Sequence, residues 1–403
     1  MSQEEKPATP TSQLLRNGAF LRLWFAGGFT NATRWLEILV AALFVFEATR
    51  SAFMVAVVTM MRSLPMLFAG ALTGAIAEAL DRRHLLIAGQ TLNACAAALL
   101  ALSSALGMLA VWQFVLASLA SGLVWASEMA VRRRMVGEAA GESGVAPAIA
   151  LDSMTSSTTR MLGPILGGLA FERLGVTGAF MVAMCGHAAA LVCSLTLAYS
   201  QRVQPLQLRS MPSAIAEAAR IGARIPAVRT VLIVTVLMNV FGFSYTAVVP
   251  AWGEQVFGAS PTMIGLLAAA EPFGALIGAW VLATFRIRLS PTTIFTTGAA
   301  LFMVVLGLAA NLPWLPVAWL LLALGGLGTA AFGNMQTSLV ILAVNADARS
   351  RVLGLVTTCI GMGPVGVLAV GALADRFGPA SALTVMAASG AVLIMAARRH
   401  ERR

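Results

Sequence analysis

Twelve apolar runs, separated by short clusters of charge, glycine or proline, constrain this chain more than any other feature of it. They lie near 21–46, 52–77, 85–107, 110–131, 146–170 and 178–199, and, after a polar stretch, near 230–252, 262–285, 292–310, 314–343, 352–374 and 380–397. A helix needs about 20 predominantly apolar residues to cross the hydrocarbon core. At that depth the backbone must satisfy its own hydrogen bonds, which leaves helices as the structure these runs can adopt. With 59% hydrophobic and 11% charged residues and a mean hydropathy of +0.84, the solvent for most of the chain is lipid, because soluble domains carry roughly 25% charge. The expectation is an all-α membrane protein of twelve transmembrane helices in two six-helix bundles. Its parts are a cytoplasmic tail 1–20, a first bundle 21–199, a cytoplasmic linker 200–229, a second bundle 230–397 and a tail 398–403.

The net charge of +10 would suggest nucleic acid in a soluble chain, but sorted by loop it reads as topology. With both termini cytoplasmic, 21 of the 27 Lys and Arg residues fall on the inner side, and only Arg50, Arg173 and Arg376 fall outside. That bias satisfies the positive-inside rule and excludes nucleic acid as a partner. The remaining three, Arg34, Arg62 and Arg160, lie inside spans. Cys95, Cys185, Cys193 and Cys359 sit in apolar runs without metal-site or disulfide spacing and read as packing residues. His84, His187 and His400 are too scattered for a metal site. No phosphate-binding loop suggests ATP hydrolysis, so neither cofactor nor enzymatic activity is expected. The first residues lack the basic start of a cleaved signal peptide, so the first span is expected to persist.

The halves repeat one another. Gly163-Pro164, Gly168 and Glu172-Arg173-Leu174-Gly175 in the fifth span answer to Gly363-Pro364, Gly371 and Asp375-Arg376-Phe377-Gly378 in the eleventh. After span 2 come Gly74, Glu78, Asp81, Arg82 and Arg83, in a segment that resembles the major facilitator loop signature G-x-L-A-D-R-x-x-R-R. It departs at Glu78 and Ala79. Gly163-Pro164-Ile165-Leu166-Gly167-Gly168 resembles the G-P-x-x-G-G motif of exporters. Leu21-Arg22-Leu23-Trp24, Trp35, Ser51 and Arg349-Ser350-Arg351-Val352 extend the likeness, over about 14–397, to the major facilitator branch of the enterobactin exporter and drug-efflux permeases. The resemblance implies a proton-driven exporter of small organic molecules in the cell inner membrane. An exported siderophore is the alternative substrate; import, or a non-transporting receptor or scaffold, are weaker ones. The partners expected are the small-molecule substrate, protons and the bilayer, with the chain acting as a monomer.

A charge at bilayer depth costs roughly 2.5–3.5 kcal/mol on insertion scales and is a functional candidate by default. The candidates for proton coupling or the substrate cavity are Arg34, Glu37, Arg62, Asp152, Arg160 and Glu271. Arg34 and Glu37 are one turn apart on one face, so they read either as a mutual pair or as transport residues, with Glu37 the better proton carrier. Glu128 reads as an interfacial partner of Arg132, which the run boundaries place in the inner loop. The arginine that drug–proton antiporters carry inside helix 4 therefore reads as absent. His187 reads as a neutral histidine bonded to a neighbouring helix. The resemblance implies an architecture in which the eighth helix faces the fifth, and counting residues puts Glu271 and Arg160 near one depth, which predicts that they pair across the halves.

Overall fold

Span boundaries follow from residues that can end one helix and start the next. In the computed structural model, which describes residues 14–79, 81–141, 144–199, 219–285 and 287–401, Asn17 caps α1 (Gly18–Thr49) by accepting from the Ala19 and Phe20 amides. α2 (Ala52–Ala79), α3 (Arg82–Ala105) and α4 (Val111–Ala140) follow. Val145–Leu195 is one continuous run broken at Gly175, and its arms are α5 (145–174) and α6 (176–195).

α7 (226–257) begins with Pro226 in its first turn, passes through a π turn at Met238–Gly242 and a 3-10 stretch at Phe243–Ala247, and resumes as Val249–Phe257. α8 (Pro261–Thr284), α9 (Pro291–Ala310) and α10 (Leu315–Ala343) also carry proline in the first turn, where its missing N–H breaks no helical bond. α11 (346–377) is interrupted at 361–362, and α12 is Pro379–Glu401. Ten helices of the described residues are long and apolar enough to cross a membrane. Dividing Val145–Leu195 at Gly175 and adding the apolar Ala52–Leu67 brings the number to twelve.

The bundles invert the burial pattern of a soluble protein. Leu99, Leu102, Leu320, Leu342 and Trp280 stand exposed on the rim, where lipid would meet them, while Arg34, Glu37, Arg62, Arg132 and Glu271 are buried. Small residues set the distance between the two halves. A Cβ at Gly168 would lie 2.2 Å from the Pro261 carbonyl oxygen, and one at Gly265 would lie 2.4 Å from that of Pro164, so α5 and α8 touch backbone to backbone. Gly371 does the same for α11 against Ala52, Phe53 and Ala56 of α2. The two seams are related by the repeat noted above.

An even number of spans puts both termini on one face, here called terminal; the opposite face is distal. On the distal face the repeated four-residue motifs act alike. Glu172 accepts from the Ser260 hydroxyl and the Thr262 amide at the start of α8, both at 2.9 Å. Asp375 accepts from the Ser51 hydroxyl at 2.5 Å and the Ala52 and Phe53 amides at 2.6 and 3.3 Å at the start of α2. Each carboxylate thus caps a helix of the other half, where free amides and the helix dipole favour negative charge. Gly175 and Gly378 close the motifs with φ of 65° and 82°, a region that favours glycine. Arg50 pairs with Glu254 on the same face. The segment Asp375–Gly378 is therefore the repeat of Glu172–Gly175 rather than a second copy of the basic loop signature.

Candidate transport site

Two groups of buried charge occupy the middle of the molecule. The first bridges the halves: Arg160 Nη2 on α5 lies 2.5 Å from Glu271 Oε2 on α8. Glu271 is fully buried and Arg160 is 31% exposed along its side chain, so the pair has one wet end. Thr329 of α10 donates its hydroxyl to the other carboxylate oxygen, and the Arg160 guanidinium lies over the Trp35 ring of α1 at 5.6 Å. The pairing expected from depth counting is present.

The second group lies within the first bundle and corrects several expectations. Arg34 and Glu37 do not pair with each other. Arg34 donates to Glu128 on α4 at 2.7 Å and to Asn31 at 2.6 Å, and lies 5.2 Å from the Trp125 ring centre. Glu37 instead faces Arg62 of α2 at 3.8 Å and His187 of α6 at 3.1 Å. Three residues stop about 60° short of a full turn, and the two side chains on this shared face reach different neighbours, Arg34 toward α4 and Glu37 toward α2 and α6.

Glu128 is buried rather than interfacial, and Arg132 is not an inner-loop residue, because α4 continues to Ala140. The Arg132 guanidinium forks onto Asp152 of α5, with Nη2 to Oδ2 at 3.1 Å, and lies 3.6 Å from Glu128. It rests on Gly27, where a Cβ would come within 2.2 Å of Nη1. The buried arginine on helix 4 that the sequence reading missed is Arg132. Its signal was the i,i+4 spacing to Glu128 together with Asp152 on the next span, masked by the Arg132-Arg133-Arg134 run.

The remaining sequence candidates are distributed as follows. Gly163 and Gly167 pack on α1, where Cβ atoms would meet Trp35 and Leu36, and Pro164 contributes the carbonyl that Gly265 approaches. The exporter-like motif thus sits at the junction of α1, α5 and α8. Asp81 caps α3 by accepting from the His84 amide at 3.0 Å, and that bond holds its carboxyl below the ordinary carboxylate range. Arg82 is buried and donates to Glu138 at 2.9 Å and to the Tyr199 hydroxyl at 2.6 Å. Arg83 donates to the Leu195 carbonyl. Gly74 lies in α2; the side chain of Glu78 lies outside the described residues, as does the linker from 200 to 218.

A family model described as transmembrane secretion effector matches residues 9–402. The chain belongs to this family of the major facilitator superfamily. It is 26% identical over 377 residues to the multidrug efflux pump Tap of Mycolicibacterium fortuitum, covering 90% of this chain and 91% of Tap. Its fold is similar to that of the D323A mutant of the nucleoside transporter NupG, with a TM-score of 0.79 at 12% identity over 94% of this chain and 99% of that chain. It is also similar to the POT family transporter PepTSo, with a TM-score of 0.77 at 12% identity over 96% and 98%. A bacterial homolog of the human lysosomal transporter Spinster matches at a TM-score of 0.71 and 14% identity over 95% of both chains. The chain is therefore a multi-pass membrane transporter and not an enzyme.

Proposed function

We propose that the chain is a proton-coupled exporter of small organic compounds, drugs or metabolites, across the cell inner membrane. It works as a monomer with both termini and the linker in the cytoplasm. The observation that carries this reading is the Arg160–Glu271 pair, a buried carboxylate of one half held by a cation of the other at the middle of the seam. Alternating access rocks six-helix halves about a midplane site, and such rocking must remake this pair in each cycle. A carboxylate freed from its arginine in a dry site takes up a proton readily. Glu37, buried against Arg62 in the first half, is the second proton-linked carboxylate of the scheme.

The split of cations between the faces supports a distal face that is external. Glu172 and Asp375 then clamp the outer end shut, and the structure is the state that loads from the cytoplasm. Tap, described as a multidrug efflux pump, supports efflux and the substrate class.

Everted membrane vesicles carrying a luminal pH dye test the proposal against a panel of drugs, siderophores and lipids. Addition of a substrate is expected to discharge luminal protons as it is taken up. No proton-linked flux with any member of the panel would overturn the reading.

A further inference from the structure

His187 is 1% exposed and touches two acceptors. Its Nε2 lies 3.1 Å from Glu37 Oε1 and its Nδ1 lies 3.3 Å from Gln90 Oε1 of α3. A neutral imidazole has one N–H and can satisfy only one of them; an imidazolium satisfies both. With Glu37 ionised, the neutral form fits only if the Gln90 amide turns to present its NH2 group, a rotation that exchanges two atoms of nearly equal size. The pocket thus has one arrangement for the protonated ring and a second, one amide flip away, for the neutral ring.

The surrounding charges single out the same residue. Facing this pocket and its neighbours are Glu37 and Arg34 on α1, Arg62 on α2, Glu128 and Arg132 on α4 and Asp152 on α5. Three arginines and three carboxylates balance, and each carboxylate already has an arginine within 4 Å. His187 of this set meets a carboxylate and an amide oxygen, and imidazole is the side chain whose ordinary pKa lies near neutrality. The set carries zero or one net positive charge according to a single proton. A void of about 10 Å³ lined by Glu37, Arg62, Ser118 and Ser121 adjoins the pocket, room for roughly one water. Gly186 lets α6 approach α1, since a Cβ there would strike the Thr33 hydroxyl at 2.1 Å.

We propose that His187 is the proton-binding residue of the first half, with Glu37 as the counter-charge that retains the proton and Gln90 as the amide that switches with it. The proposal rests on the proton-coupled reading above, and assigns its proton to a histidine rather than to Glu37 alone.

The chain has three histidines, so the His84→Gln/His400→Gln protein contains His187 as its only one. Carbon-13 histidine NMR of this full-length protein in nanodiscs then reads the ring directly. The expected result is an imidazolium signal that gives way to a single neutral tautomer within one pH series. Glu37→Gln, which removes the counter-charge, is expected to cut the imidazolium fraction at a given pH several-fold. Gln90→Leu, which cannot accept from Nδ1, is expected to cut it less. A ring that stays neutral throughout, or an imidazolium fraction indifferent to Glu37→Gln, overturns the proposal.

The vesicle assay separates the two levels of inference. Proton discharge in the wild type that keeps its pH profile in His187→Gln removes His187 from the role and leaves proton-coupled export standing. Absence of discharge in the wild type removes the proton-coupled reading, whatever the NMR shows. Monodisperse elution of His187→Gln, or of His187→Asn if the first variant misfolds, confirms that the flux measurement is made on folded protein.

Discussion

Gly168→Ala should hold the distal face open, and the size of the effect follows from the seam. The added methyl would sit 2.2 Å from the Pro261 carbonyl oxygen, more than an ångström short of the roughly 3.5 Å optimum for non-bonded heavy atoms. Neither side can yield locally. Pro261 belongs to the first turn of α8, which Glu172 caps from the same helix that bears Gly168, and on the other side of the seam Gly265 meets the Pro164 backbone. The helices must separate, at the 1–3 kcal/mol typical of overpacking a tight contact. That cost applies only where the seam is closed, so it shifts the closed-to-open ratio by about 5- to 150-fold. Cysteines introduced at Arg50 and Glu254, which pair across the distal face, report the ratio as a disulfide formation rate in a background lacking the four native cysteines. Gly333→Ala serves as control, because a Cβ there meets nothing within 4 Å. Equal cross-linking rates in folded Gly168→Ala, the control and the parent would refute the seam argument.

Asp375→Ala strips the amides at the start of α2 of their acceptor, at about 0.5–2 kcal/mol by analogy with helix caps; the same cross-linking rate should fall, and further when combined with Glu172→Gln. Donors on Thr262 and Ser260 hold the Glu172 carboxyl below its ordinary 4.5, so its clamp is fully formed above that value and is lost only as pH falls through the lowered one. The distance between spin labels at positions 50 and 254 should accordingly be constant between about pH 5.5 and 8 and lengthen under stronger acid; a midpoint near neutrality would contradict the assignment. Arg132→Gln leaves Asp152 and Glu128 buried without their shared cation, and should cost roughly 3–5 kcal/mol, read as a lower melting temperature in detergent. Glu271→Gln should fold normally and lose transport, with no rescue by the Arg160→Glu/Glu271→Arg swap, whereas a fixed structural bridge would reduce folded protein and be restored by the swap.

How much of the site could be read beforehand depends on whether position along the membrane normal was enough to define a contact. Glu271 and Arg160 were legible because both lie near the middle of their spans and the architecture implied by the family resemblance sets α5 against α8; depth and helix order together left one partner for each. Arg34 and Glu37 were misjudged because depth alone cannot distinguish neighbours on one helix. Which way each points is a matter of rotation about the axis, and the rotation of α1 is set by what Gly27, Gly163 and Gly186 allow Arg132, α5 and α6 to approach.

The twelve spans, the sidedness of the cations and the doubled Gly-Pro and acidic motifs are properties of the sequence by itself, because the cost of charge and open backbone in hydrocarbon acts on each segment separately. The union of Glu37 with His187 and of Arg132 with Asp152, and the capping of each half's helix by the other half's carboxylate, were decided only by the tertiary structure. Those contacts span from 20 to 323 residues. They exist because small residues let the helices come within reach, a condition no single segment carries.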